Sequence, residues 1–126
     1  MLGKSLSKQS INIIPKIREL DTFLSAHPEY KNRILESHPE VDFVRLNGSA
    51  VMTRKKENSG FSDRVAILKK YLSGKDFYSM WEIAKKLKCN PDDLLDAACL
   101  AVTAALAVGG MCETIPAEPE QDDNGL

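Results

Sequence analysis

Residues 90–108 read Asn-Pro-Asp-Asp-Leu-Leu-Asp-Ala-Ala-Cys-Leu-Ala-Val-Thr-Ala-Ala-Leu-Ala-Val, an acidic opening followed by an almost wholly hydrocarbon run. The opening carries helix-start chemistry residue by residue. Asn90 is a strong N-cap and Pro91 fits the first helical position, where an N–H would have no intrahelical partner. Asp92 and Asp93 set negative charge against the positive end of the helix dipole. From Ala97 to Val108 only Cys99 and Thr103 are not hydrocarbon, so the helix is expected to be buried on most sides. Asp96 is the odd residue. At roughly 100° per residue, with Asp92 at 0°, Asp96 falls near 40° and Asp93 near 100°, so the three carboxylates share one side of the first two turns. Capping accounts for Asp92 and Asp93. It accounts less well for Asp96, because a carboxylate at the edge of a core costs several kcal/mol unless it is paired or bound to metal. Asp93 and Asp96, one turn apart, are therefore a candidate pair for a divalent cation, with ordinary capping as the alternative.

Composition bounds the rest. The chain has 126 residues, 43% of them hydrophobic, and a formal net charge of −1, which describes one soluble globular domain or less. Five of the 18 carboxylates fall in residues 113–126, where there is no Lys or Arg, so 17 cations face 13 carboxylates in the preceding residues. A body this mildly basic permits nucleic acid as a partner without arguing for it. Cys89, Cys99 and Cys112 are odd in number and lack Cys-x-x-Cys spacing, which suits reduced thiols and a cytoplasmic location. His27 and His38 each precede a proline and read as turn residues rather than zinc ligands. No long apolar region follows Lys4 and Lys8, and the run near 94–109 is too short for a span, so neither a signal peptide nor a membrane partner is expected.

Working outward along the chain, Ile13, Ile17, Leu20 and Leu24 recur with helical spacing and predict a helix over residues 7–26, kinked or restarted at Pro15. Arg33–Ser37 is the one clear strand candidate, stopped by His38-Pro39, and Ala50–Met52 is a second, weaker one. Pro39–Leu46 reads as a short helix with Val41, Val44 and Leu46 inward, closed by Asn47-Gly48. Arg54–Gly60 reads as a basic loop, Phe61–Leu72 as an amphipathic helix and Ser79–Leu87 as another short helix carrying Trp81. A lone short strand leaves both edges unpaired, so it is either covered or expects a sheet that this polypeptide lacks.

Three blocks now stand in order: Lys8-Gln9-x-x-Asn12-x-x-Pro15-Lys16-Ile17-Arg18-Glu19-x-Asp21, Glu36-x-His38-Pro39-Glu40-Val41-x-Phe43-x-x-Leu46-Asn47-Gly48, and Asp92-Asp93-Leu94-Leu95-Asp96-Ala97. Their spacing resembles the C-terminal half of domain-of-unknown-function family 429, predicted RNase H-like nucleases. Lys55-Lys56 with Gly60 and Arg64, and the ending Pro116 to Leu126, are similar to that family as well. The resemblance implies an α-rich α+β fold of five to six helices with one or two short strands, the C-terminal part of an RNase H-like α/β domain without its N-terminal strands. Residues 1–112 would form the partial domain and 113–126 an acidic, proline-containing, irregular tail.

By likeness to Holliday-junction resolvases in that superfamily, Glu36, Asp93 and Asp96 would be catalytic carboxylates holding Mg²⁺ or Mn²⁺. Lys55, Lys56 and Arg64 would contact nucleic-acid phosphates, although a solvated loop and a helix-surface arginine explain them equally well. The family's first-strand Gly-x-Asp has no counterpart here, so the expectation is a truncated or fragmentary member of a metal-dependent nuclease family, inactive alone. The alternative is a non-catalytic helical interaction or assembly protein that forms a homo-oligomer through its unpaired strand edge.

Overall fold

The computed structural model describes residues 8–31, 33–49, 58–118 and 120. They form five α-helices: α1 (Lys8–Ala26), α2 (Pro39–Asn47), α3 (Asn58–Leu68), α4 (Gly74–Lys86) and α5 (Pro91–Val108), with a single 3-10 turn at Pro28–Tyr30. The chain divides into two compact units, Ser37–Ala117 and Met1–Glu36 with Glu118–Leu126.

Among the described residues there is no strand, which overturns the expected α+β architecture and its RNase H-like sheet. Arg33–Ser37 is the instructive failure. The N–H groups of Arg33 and Ile34 both return to the carbonyl of Tyr30, at 2.8 and 3.1 Å, so the segment leaves a turn and continues to His38 without regular structure. An apolar pair, Ile34-Leu35, has β-propensity, but a strand needs a neighbouring ladder, and no described segment supplies one. The second strand candidate, Ala50–Met52, lies outside the described residues.

The unit Ser37–Ala117 is a small helical core. In α5 the buried residues are Leu95, Ala98, Cys99 and Val102, an i, i+3, i+4, i+7 stripe. α2, α3 and α4 pack on that helix, and α2 also packs on α3. The other sides of α5 face water: Ala97, Ala101, Ala104 and Ala105 are exposed, and Val108 is 92% exposed. The expectation of burial on most sides is corrected for a geometric reason. Three short helices can cover one face of an 18-residue helix and no more.

Local chemistry sets the element ends. Asn90 caps α5 through its side-chain oxygen, which accepts from the Asp92 N–H at 3.3 Å. Ser73 caps α4, accepting from the Asp76 N–H at 3.2 Å and donating to the Asp76 carboxylate at 2.5 Å, so α4 begins earlier than Ser79. Gly48 closes α2 with φ of 73°. At the end of α4 the corresponding left-handed position is held by Lys88, φ 54°, with Cys89 N–H on the Ala84 carbonyl at 3.0 Å and Lys88 N–H on the Lys85 carbonyl at 3.1 Å. That pair of bonds is a Schellman closure with the β-carbon in place.

In the other unit, α1 runs without interruption through Pro15, so the proline does not start a second helix. The chain then makes the Pro28–Tyr30 turn, around which Phe23, His27 and Tyr30 cluster with ring centroids 4.7 to 6.2 Å apart.

Candidate functional site

The chemistry-bearing residues of the Ser37–Ala117 unit collect where α2, α3 and α5 meet. α2 starts at Pro39 because proline satisfies the first helical position, and its stripe Pro39, Asp42, Phe43, Leu46 turns toward α5. Phe43 is wholly buried and Val41 and Val44 are exposed, the reverse of the inward set expected from the valines. The swap follows from Asp42. A carboxylate on the inner stripe argues against that face, yet here Asp42 accepts a 2.6 Å hydrogen bond from the Ser37 hydroxyl and is buried.

Arg64 of α3 enters the same region and is 2% exposed. Its Nη2 donates to Glu40 Oε2 at 2.6 Å, its Nη1 donates to the Gly60 carbonyl at 3.0 Å, and its guanidinium carbon sits 5.5 Å from the centre of the Phe43 ring. The ion pair therefore ties α2 to α3 over an aromatic face. Beneath it, Cys99 of α5 is fully buried, with its thiol 3.8 Å from the Pro39 carbonyl. Burial, and then the negative charges of Asp42, Asp96 and Glu40, push the Cys99 thiol up to about 12, and Arg64 offsets this only partly. The thiol stays protonated at neutral pH. It is a packing group and not a nucleophile.

The sequence-derived site residues fall in different settings. Asp93 is exposed on the first turn of α5, as a capping carboxylate would be. Asp96 is half-buried and lies in the field of Cys99 together with Glu40 and Asp42. Glu36 is exposed and belongs to the other unit. Among the described residues, no group of three His, Cys, Asp or Glu side chains is placed to hold a metal ion. Arg64, expected at the surface as a phosphate contact, has its guanidinium engaged in the interior. Lys55 and Lys56 lie outside the described residues.

Sequence reasoning passed over Glu40, Asp42 and Cys99 as site residues. The signal was present: Asp42 and Cys99 both fall on i, i+3, i+4, i+7 apolar stripes, and an ionisable group on such a stripe must find partners from a neighbouring helix.

A second surface stands out on α1. Ile13, Ile17 and Leu20 are 53%, 59% and 45% exposed, on the side of the helix that ends at the buried Leu24. Ile14 and Phe23 flank them and are exposed as well. Three exposed aliphatic residues in register, on a helix whose other sides carry Asn12, Arg18, Glu19 and Thr22 besides Ile11 and Pro15, are expected to face a partner surface.

Residues 1–121 match the family described as "Protein of unknown function (DUF429)", and the chain belongs to that family. No curated protein and no solved structure matches. No helix among the described residues is long and apolar enough to cross a membrane.

Proposed function

We propose that this member of a family of unknown function acts by association, as a helical assembly module whose working surface is completed by a second polypeptide. The observation that carries this reading is the exposed aliphatic row Ile13, Ile17 and Leu20 of α1. Each side chain is about half exposed, so leaving the row in water forgoes roughly half of the about 1.5–3 kcal/mol that full burial contributes. The route is this helix face, since the strand edge expected to pair has no strand behind it. Sedimentation of the full chain over a wide concentration range tests it. A mass rising above the 14.0 kDa of one chain is expected, and a single species at 14.0 kDa throughout rejects it.

The second reading is a share in a metal-dependent nuclease, inactive in this chain alone. Its support is Asp96, a half-buried carboxylate of α5 that lies beyond the first helical turn, where capping explains a charge. Nucleic acid would be the partner, with Lys55 and Lys56 as phosphate contacts. A full-length relative decides it: Mn²⁺-dependent cleavage of branched or single-stranded DNA, lost on the substitution equivalent to Asp96→Asn, is expected, and no metal-dependent cleavage, or cleavage indifferent to that substitution, rejects it.

A further inference from the structure

We infer that two copies of the chain pair in parallel through α1, with Ile13, Ile17 and Leu20 forming the seam and Lys16 of each copy facing the partner's Asp21. The inference rests on the association reading above and names its partner and register.

The seam is written in the spacing. Ile13, Ile17, Leu20 and Leu24 are separated by four, three and four residues, the d, a, d, a positions of a heptad. Leu24, at the end of the row, is already covered within the chain, so the free seam is the three residues before it. Its centre has Ile17 at a and Leu20 at d, the combination that favours two parallel strands. Pro15 falls at f, on the far side of the helix, where it does not enter the seam.

Charge selects the partner and the direction. In this register Lys16 is a g residue and Asp21 the following e residue, and both are exposed. A parallel pair sets each g beside the e five residues on in the other helix, so two copies make two opposite-charge contacts, Lys16 with the partner's Asp21 and the reverse. An antiparallel pair sets g against g and e against e. With the same aliphatic layers, Lys16 would then face the partner's Phe23 and Asp21 the partner's Ile14, two charges each against an apolar side chain. Only the parallel arrangement gives every flanking charge a partner, and a second copy supplies both signs at the required places.

Charge reversal tests this in the full chain by sedimentation equilibrium. Lys16→Glu or Asp21→Lys alone sets like charges across both contacts and is expected to weaken the dimer by roughly 2- to 30-fold in Kd. The double variant Lys16→Glu/Asp21→Lys restores the pairs in swapped order and is expected to recover the wild-type Kd. Far-UV circular dichroism on each variant checks that α1 is retained. In a Cys89→Ser/Cys112→Ser background, Leu20→Cys, a self-facing d position, is expected to form an interchain disulfide under mild oxidation. A dimer unmoved by both single reversals, or a double variant as weak as the singles, overturns the parallel register while leaving association standing. A monomer at every concentration overturns both.

Discussion

Replacing Arg64 with methionine removes the cation at the junction of α2, α3 and α5 while keeping an unbranched side chain of similar length. The terms can be set out separately. The buried carbonyl of Gly60 loses a charged donor at 3.0 Å, and an unsatisfied buried acceptor costs about 1–3 kcal/mol. The contact of the guanidinium with the Phe43 ring contributes about 0.5–2 kcal/mol where the cation is desolvated. The ion pair with Glu40 adds less than its 2.6 Å length suggests, because the Glu40 side chain is 44% exposed and water replaces part of what it loses. A loss of about 3 kcal/mol is expected, near the lower end for breaking a buried pair. Glu40→Gln, which keeps an acceptor for the guanidinium at a wetter position, is expected to lose about 1–2 kcal/mol. The double variant should fall short of the sum, because the two singles share one interaction. Trp81 is the only tryptophan, and it packs edge-on against Phe61 of α3 with ring centroids 5.7 Å apart, so its fluorescence reports this unit alone during urea unfolding. With a slope of about 1 kcal/mol/M, Arg64→Met should lower the midpoint by about 3 M or leave the unit unfolded in buffer. An Arg64→Met protein within about 1 kcal/mol of the parent, or one more stable than Glu40→Gln, would refute the placement of the guanidinium inside the core.

Three further outcomes follow from the same structure. The raised thiol of Cys99 is protonated in the folded chain up to about 12, against a usual value of 9.0, so its contribution to stability is full below pH 9 and is lost as pH rises toward 12. Wild type should therefore lose up to about 1.4 kcal/mol per pH unit more than Cys99→Ala across that window, and equal slopes in paired urea titrations would contradict it. Lys88→Gly relieves a left-handed φ of 54° and should stabilise the α4 closure by about 0.5–1 kcal/mol, whereas Gly48→Ala, at φ 73°, should destabilise by about 1 kcal/mol although no atom lies within 4 Å of the added carbon. Thermal melts of the two variants moving in the same direction would count against the backbone argument. Ser37→Ala removes the 2.6 Å donor from buried Asp42 and is expected to cost about 1.5–3 kcal/mol, read by the Trp81 transition; an unchanged transition would mean that solvent serves Asp42 as well.

What the chain determines by itself is local. Asn90-Pro91-Asp92 starts α5, His38-Pro39 starts α2 and Gly48 ends it, because these residues bias dihedrals and cap backbone groups whatever surrounds them. The four-three-four row on α1 is equally legible, being only a spacing. What the tertiary structure decided are the properties that need a second element. Ile34-Leu35 could not become a strand without a ladder beside it. Asp42 displaced the valines of α2 from the core because Ser37 and the junction with α3 and α5 could accept a carboxylate. Arg64 reads as a surface cation in sequence and is buried, since Glu40 and the Gly60 carbonyl stand where its guanidinium ends. Asp93 and Asp96 share a helix by sequence, but the company each carboxylate keeps is set by packing, which here lets Asp42, Asp96 and Glu40 all act on the Cys99 thiol.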